Sequence, residues 1–293
     1  MDKDFGSLDW LKITVLMENS SSFGSSFLSQ HGVAFLIEAG HEDGLSTVLF
    51  DSGQSAPPVL NNMKLLGIDI NNLDLVFLSH CHHDHTGGLV GILKAGEGRR
   101  IPVIAHPLIH RPNFMIKPSF RPVGMGSESS SESIIKAGGE IYFTRDPLPL
   151  MPGGLTTGEI IERVDFENNP TISLMTIEEG KMVPDRMVDD ISIVFIVNQE
   201  LVVVTGCSHA GIISIIKTAI CLTGIDRIAA VIGGFHLADA GEERINMTVE
   251  ALAGLNVGEI YTGHCTGFEA EAKMFNKLES RFHKLHTGMC LKF

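Results

Sequence analysis

Residues 78–88, LSHCHHDHTGG, constrain the fold of this chain more tightly than any other segment. They follow the apolar run LDLVFL, which reads as a buried strand, and lead into TGGLVGIL, which reads as the opening of a helix. Between them the spacing His-x-His-x-Asp-His presents His80, His82, Asp84 and His85, with Cys81 and His83 interposed. Neutral imidazoles and a carboxylate suit a borderline divalent cation such as zinc, with iron or manganese as alternatives in a similar cage. A His-rich surface turn can also collect metal adventitiously. Here the glycine pair Gly87 and Gly88 and the apolar flank place the motif in a strand–loop–helix unit, where α/β proteins bind ligands.

The rest of the chain supplies strands and helices for such a scaffold. Leu11 to Met17, Val33 to Glu38 and Thr47 to Phe50 are β-prone runs separated by Ser- and Gly-rich turns, which predicts an antiparallel opening to a sheet. A helix is expected around Val59 to Leu66, a strand at Leu73 to Leu78 and another at Pro102 to Ala105. A second half repeats the theme with strands at Ile191 to Val197, Leu201 to Thr205, Ile228 to Ile232 and Glu259 to Tyr261. Helices are expected near Ile212 to Leu222, Glu242 to Leu252 and Phe268 to Arg281. Two such halves face to face form a sandwich of sheets flanked by helices. Between about His106 and Asp190 the periodicity loosens around SESSSES, PLPLMPGG and ENNP. This span is expected to be an insertion that covers the cleft and selects substrate.

With 293 residues, 44% of them hydrophobic, the chain can bury one large α/β core, and a single domain over 1–293 is expected. A net charge of −13 without a Lys/Arg cluster argues against a nucleic-acid partner, although bound metals leave room for a small phosphorylated substrate. The amino terminus lacks a basic stretch followed by a long apolar core, and no apolar run reaches membrane-spanning length, so a cytoplasmic protein without a membrane partner is expected. A homo-oligomer stays open. The odd set Cys81, Cys207, Cys221, Cys265 and Cys290 does not read as a disulfide framework, and Cys221 and Cys290 are expected to be buried as small hydrophobes.

The His-rich motif, its setting and the upstream TVLFDSG resemble the metallo-β-lactamase superfamily through most of the chain. The segments LVVVTGCSHAGI, VIGGFHL and YTGHCTG resemble, more narrowly, the branch named after dihydropterin ribofuranosyl-aminobenzene phosphate synthase. The resemblance implies a four-layer αββα sandwich and two divalent metal ions, zinc first. It assigns His80 and His82 to one metal and Asp84, His85 and His264 to its neighbour. His264 also ends a short apolar strand run, a position that favours a ligand independently. Many relatives carry a bridging Asp after a Thr-Gly pair, where this chain has Cys207. Either a Cys207 thiolate ligates or bridges, or His209 reaches in from the following helix start. The usual upstream Pro-Gly-His turn is replaced by MPGGLTTGEI.

Around this ligand set, Asp84 and His236 are candidate catalytic residues, Asp84 to place a water and His236 to assist a leaving group. Asp51 is expected to brace the metal loop from behind. Thr266 and Arg121 are candidate substrate-binding residues, Thr266 alternatively a helix cap, while His106, His110 and Arg111 are weaker suspects at the start of the insertion. Three functions follow. The first is metal-dependent hydrolysis of a small ester, lactone or phosphoester. The second is a phosphoribosyl-transferring synthase of the branch type, with an aminobenzoate-like acceptor. The third is a metal-dependent sensor without catalysis.

Overall fold

A computed structural model describes residues 5–168 and 173–293. Residues 1–4 and 169–172, the latter including the second half of the ENNP segment, lie outside the described residues. Among the described residues two seven-stranded sheets face each other. The first runs, in spatial order, Cys290–Lys292, Trp10–Met17, Ala34–His41, Gly44–Phe50, Leu75–Phe77, Ile101–Ala105 and Gly139–Phe143. The second runs Phe282–Lys284, Val257–Gly263, Ile228–Gly234, Glu200–Val204, Ile193–Val197, Gly154–Thr156 and Pro149–Met151. Each sheet is antiparallel on one side, as the opening hairpins predict, and parallel on the other.

The layers follow from side-chain alternation. In Ala34–His41, Phe35 and Ile37 point between the sheets, where they join Phe50, Phe77, Phe195, Val202 and Ile232 in an apolar layer. Leu36, one residue away, points outward with Leu49 and Val76 onto the helices Ala56–Leu65, Leu89–Ala95 and Ser131–Lys136. The second sheet mirrors this, with Val203, Val231 and Ile260 packed on the helices Ile212–Thr223, Glu242–Gly254 and Phe268–Leu278. Both faces of the central strands are therefore buried, which is why Ile193–Val197 reads as an unbroken apolar run. Each fully buried Phe, Ile or Leu adds about 1.5–3 kcal/mol to the sandwich. The architecture is αββα.

The parallel halves gather the functional loops. In-register pairing of Phe50 with Phe77, of Val204 with Ile232 and of Gly234 with Gly263 makes the strands end together, so the segments that follow emerge side by side at one edge of the sandwich. The span 106–190 divides its residues between wall and scaffold. Asn113–Met115, Arg121–Pro122, Leu174–Glu178 and Lys181–Pro184 form a separate four-stranded sheet over that edge. Gly139–Phe143 and the pair Pro149–Met151 and Gly154–Thr156 instead extend the two main sheets. The small sheet is tethered to the metal loop where the His83 N–H donates to the Val123 carbonyl at 2.9 Å. Cys221 and Cys290 are exposed, against expectation, because Cys221 lies on the outer face of its helix and Cys290 on an edge strand whose alternate residue, Leu291, takes the inward place. Among the described residues no helix is long and apolar enough to cross a membrane.

Candidate metal centre

The His-rich loop is itself partly helical, since His83–Thr86 forms a single turn, and this turn aims the ligands of one loop in two directions. His80 Nε2 lies 3.1 Å from His82 Nδ1, which lies 3.2 Å from His209 Nε2. Beside this triad, His85 Nε2 and His264 Nε2 are 3.3 Å apart, and Asp84 Oδ2 is 3.2 Å from His264 Nε2 and 3.5 Å from His85 Nε2. Cys207 Sγ is 3.1 Å from His85 Nε2 and groups both with His80 and His209 and with His85 and His264. Cys207 and His209, which the sequence offered as alternatives, both lie in the cluster, the thiol standing between the triads. Ligands about 2.0–2.1 Å from a tetrahedral zinc sit about 3.3 Å from one another, which matches these separations.

The outer atoms of the rings test the fit. Asp51 accepts from the Ser79 N–H at 2.8 Å, from Ser79 Oγ at 2.7 Å and from His85 Nδ1 at 2.6 Å. With its proton given to Asp51, the Ser79 hydroxyl accepts from His80 Nδ1 at 2.9 Å. His82 Nε2 donates to Asn113 Oδ1 at 3.1 Å, because the Asn113 amide nitrogen is already used on Asp185 at 2.6 Å. His264 Nδ1 donates to Asn19 Oδ1 at 2.9 Å. Four rings therefore have their outer N–H held by an acceptor, which turns Nε2 of His80, His85 and His264, and Nδ1 of His82, into the cavity. Such outer partners orient metal-ligating histidines. The residues present fit a pair of divalent cations.

Electrostatics point the same way. Burial disfavours charge on His85, but the Asp84 and Asp51 carboxylates outweigh it and raise its pKa to about 9. Burial pushes the Asp84 carboxyl up, yet His85 and His264 pull it well below the usual carboxylate range. The second triad thus prefers positive charge. The first triad lacks a carboxylate, and burial lowers His82 to about 4, so its imidazoles stay neutral and available. Burial pushes the Cys207 thiol up, an effect that a cation at bonding distance reverses. Backbone strain is present here as well. Asp51, Ser208, His236 and His264 all have φ between 46° and 57°, a region costly for residues other than glycine and common at functional sites. Gly206 is required for space, since a Cβ there would stand 2.3 Å from Ser79 Oγ.

The cleft above these triads has a volume of about 240 Å³. Met115, Arg121, Val123 and Leu174 of the small-sheet region line it, together with His236 and Cys265. His236 packs against His209 with ring centroids 4.0 Å apart and planes tilted by 49°, and Arg121 sits exposed at the rim with Nη2 on Met115 Sδ at 3.2 Å. Thr266 lies beneath the cleft: its hydroxyl accepts from the Phe235 N–H at 3.0 Å and pairs with Thr262 at 2.6 Å, so it is spent inside the protein. Nor does it cap the last helix, which opens on Gly267 without a side-chain cap. His106 is fully buried against Glu159 at 2.8 Å, His110 bonds Ser131 on the surface, and Arg111 pairs with Asp185 and Asp189, each at 2.7 Å. The Arg111–Asp185–Asn113 chain supports His82, and Glu18 accepts from the His264 N–H at 2.6 Å. Sequence reasoning missed Asn113, Asp185, Glu18, Asn19 and the rim residue His31. Glu18 and Asn19 carried one usable signal, as polar residues directly after an apolar strand.

Fold and site together define a protein of the αββα class with a His/Asp/Cys cluster suited to divalent metal, and the chain belongs to the metallo-β-lactamase superfamily, whose profile matches residues 30–264. Within it, the chain is 44% identical over 292 residues, 99% of each chain, to the 7,8-dihydropterin-6-methyl-4-(β-D-ribofuranosyl)-aminobenzene-5'-phosphate synthase of Methanocaldococcus jannaschii, in the branch its motifs resemble. A solved structure described as Tm1679, a metal-dependent hydrolase of the β-lactamase superfamily, superposes with a TM-score of 0.78 at 25% identity, covering 96% of this chain and 98% of that one. Zn(2+)-bound PqqB from Methylobacterium extorquens shares the fold, with a TM-score of 0.56 at 12% identity, covering 96% of this chain and 99% of that one.

Proposed function

We propose that the protein is a metal-dependent synthase that joins a dihydropterin, through the methylene carbon at its position 6, to the amine of a phosphorylated ribosyl-aminobenzene. Full-length similarity to a protein named for that product supports this reading. The observation that carries it is Cys207 standing between two complete triads. A thiolate donates more charge to bound cations than a carboxylate does, which weakens the acidification of water on which hydrolysis depends. Neutralisation of a departing oxyanion survives that change. In this reading the transferred group is the pterin methylene rather than the phosphoribosyl group, which belongs to the acceptor.

The arylamine lone pair forms the new C–N bond while the C–O bond to a phosphate or diphosphate breaks and takes the electron pair. When bound, two divalent cations, zinc by the donor set, supply the positive charge that stabilises the leaving oxygens. Arg121 at the rim holds the acceptor's phosphate, and the apolar wall of Met115, Val123 and Leu174 packs against flat rings. His236, facing the cleft beside His209, takes the proton the amine sheds. The Asp84 carboxylate, placed between His85 and His264, would hold the second cation together with them.

A hydrolase is the second reading, favoured by the similarity to the metal-dependent hydrolase Tm1679. Metal-loaded protein incubated with dihydropterin-6-methyl diphosphate, with and without the ribosyl-arylamine phosphate, separates the two by mass spectrometry. The synthase reading expects a coupled product and diphosphate release that depends on the acceptor. Release at the same rate without acceptor, and no coupled product, would favour the hydrolase. Absence of turnover with either would leave metal-dependent sensing.

A further inference from the structure

His31 belongs to no motif, yet its Nε2 stands 3.3 Å from Asp84 Oδ2 and its ring centroid 5.0 Å from that of His264. The ligating atoms of His31, Asp84 and His264 all lie within 4.8 Å of one another. Unlike the other imidazoles of the centre, its side chain is 56% exposed, and it lines the mouth of the cleft. Its backbone has little freedom. Gly32 adopts φ +134°, and a Cβ there would lie 2.3 Å from the Asp84 carbonyl oxygen. The Gly32 N–H donates to Asn19 Oδ1 at 3.2 Å, and the Val33 N–H to the Asp84 carbonyl at 3.3 Å. The main chain is thus pinned both to a ligand and to the residue that orients His264, while the imidazole can swing into solvent.

We infer that His31 is a displaceable ligand of the second cation, seated on Asp84's side of the centre in the absence of substrate and displaced by an incoming phosphate or diphosphate oxygen. The inference goes beyond the reaction assigned above and rests only on the metal centre. Catalytic metal sites keep one exchangeable position, ordinarily held by water. A neutral imidazole on a fixed backbone fills such a position without closing it permanently. The exchange would replace one imidazole-nitrogen coordinate bond to the cation by one phosphate-oxygen bond, with no change of oxidation state.

The test uses the full chain loaded with two equivalents of Co(II), read by visible absorption and by chelator competition. His31→Ala is expected to alter the Co(II) bands and to weaken the second ion at least about tenfold, the scale on which metal-site support is lost. Free imidazole should restore the bands of the variant. Inorganic diphosphate should move the wild-type spectrum towards that of the variant and bind the variant several-fold more tightly, there being no ligand to displace. His83→Ala serves as the control, because that neighbouring imidazole is engaged by the Val123 carbonyl at 3.1 Å. Unchanged bands and second-ion affinity in His31→Ala, or an equal change in His83→Ala, would overturn the inference and leave the dinuclear centre standing. A wild-type chain that takes up a single cobalt ion would overturn both.

Discussion

Replacing Asp51 by Asn changes one atom of the side chain and removes the negative charge on which both triads lean, together with one of its two accepting oxygens. The carboxylate receives three donors, Ser79 N–H at 2.8 Å, Ser79 Oγ at 2.7 Å and His85 Nδ1 at 2.6 Å. An amide has one accepting oxygen. Its better orientation keeps that oxygen on His85 and the Ser79 hydroxyl and sets the amide N–H groups against the Ser79 N–H. One buried donor is then unmatched, which costs about 1–3 kcal/mol, and the charged character of the other two bonds is lost. His85, no longer paired with an anion, becomes a poorer ligand. The second ion is expected to bind about 10–100-fold more weakly, or about 1.4–2.7 kcal/mol. The first site feels the change only through Ser79 and His80, with a loss below about tenfold. Competition with a fluorescent zinc chelator measures the two steps separately. Affinities within twofold of the parent at both sites, or a loss confined to the first, would show that Asp51 does not brace His85.

Cys207→Asp supplies a carboxylate in place of the thiolate, and phosphodiester hydrolysis is expected to rise about tenfold or more while acceptor-dependent coupling falls, a change of about 1.4 kcal/mol in barrier; steady-state rates on a chromogenic phosphodiester check it. Gly206→Ala brings a methyl to within 2.3 Å of Ser79 Oγ, so a loss of about 1–3 kcal/mol in urea unfolding and weakened metal uptake at both sites are expected together. In the metal-free protein two histidines of the site contribute pH dependences of opposite sign. His85, raised from 6.5 to about 9, gives stability that is fully present below pH 6.5 and lost as pH rises through 9, to an extent of about 3 kcal/mol. His82, lowered from 6.5 to about 4, gives stability that is present above pH 6.5 and lost as pH falls through 4. The denaturant midpoint of the apo chain should fall between pH 7.5 and 9 by more than that of His85→Ala, and addition of zinc should remove this alkaline loss, because the cation replaces the proton on His85.

Much of this protein follows from local signals. The apolar, β-prone runs located the central strands of both sheets to within a few residues, and the helices at Ile212–Thr223, Glu242–Gly254 and Phe268–Leu278 were visible in their spacing. The contiguous ligands of the His-rich loop were legible because a strand end and a helix start fix them relative to one another. The short closing strands Phe282–Lys284 and Cys290–Lys292 gave no comparable signal, since three residues carry no period and they form only by pairing with a preexisting sheet edge. Thr266 misled for a related reason: a threonine before a glycine at a helix start looks like a cap, and only the packing of Phe235 and Thr262 around it shows where its hydroxyl is spent.

The sequence by itself determined the chemistry available, a loop of imidazoles and a carboxylate, a thiol at Cys207, and strands apolar enough to be buried on both faces. Tertiary structure alone decided which distant side chains meet that loop. Cys207, His209, His264, Asn113, Asn19 and His31 arrive from separate strand ends and from the small outer sheet. Their convergence depends on strand order and register, which are set by the summed packing of two sheets and six helices rather than by any residue's neighbours in the chain.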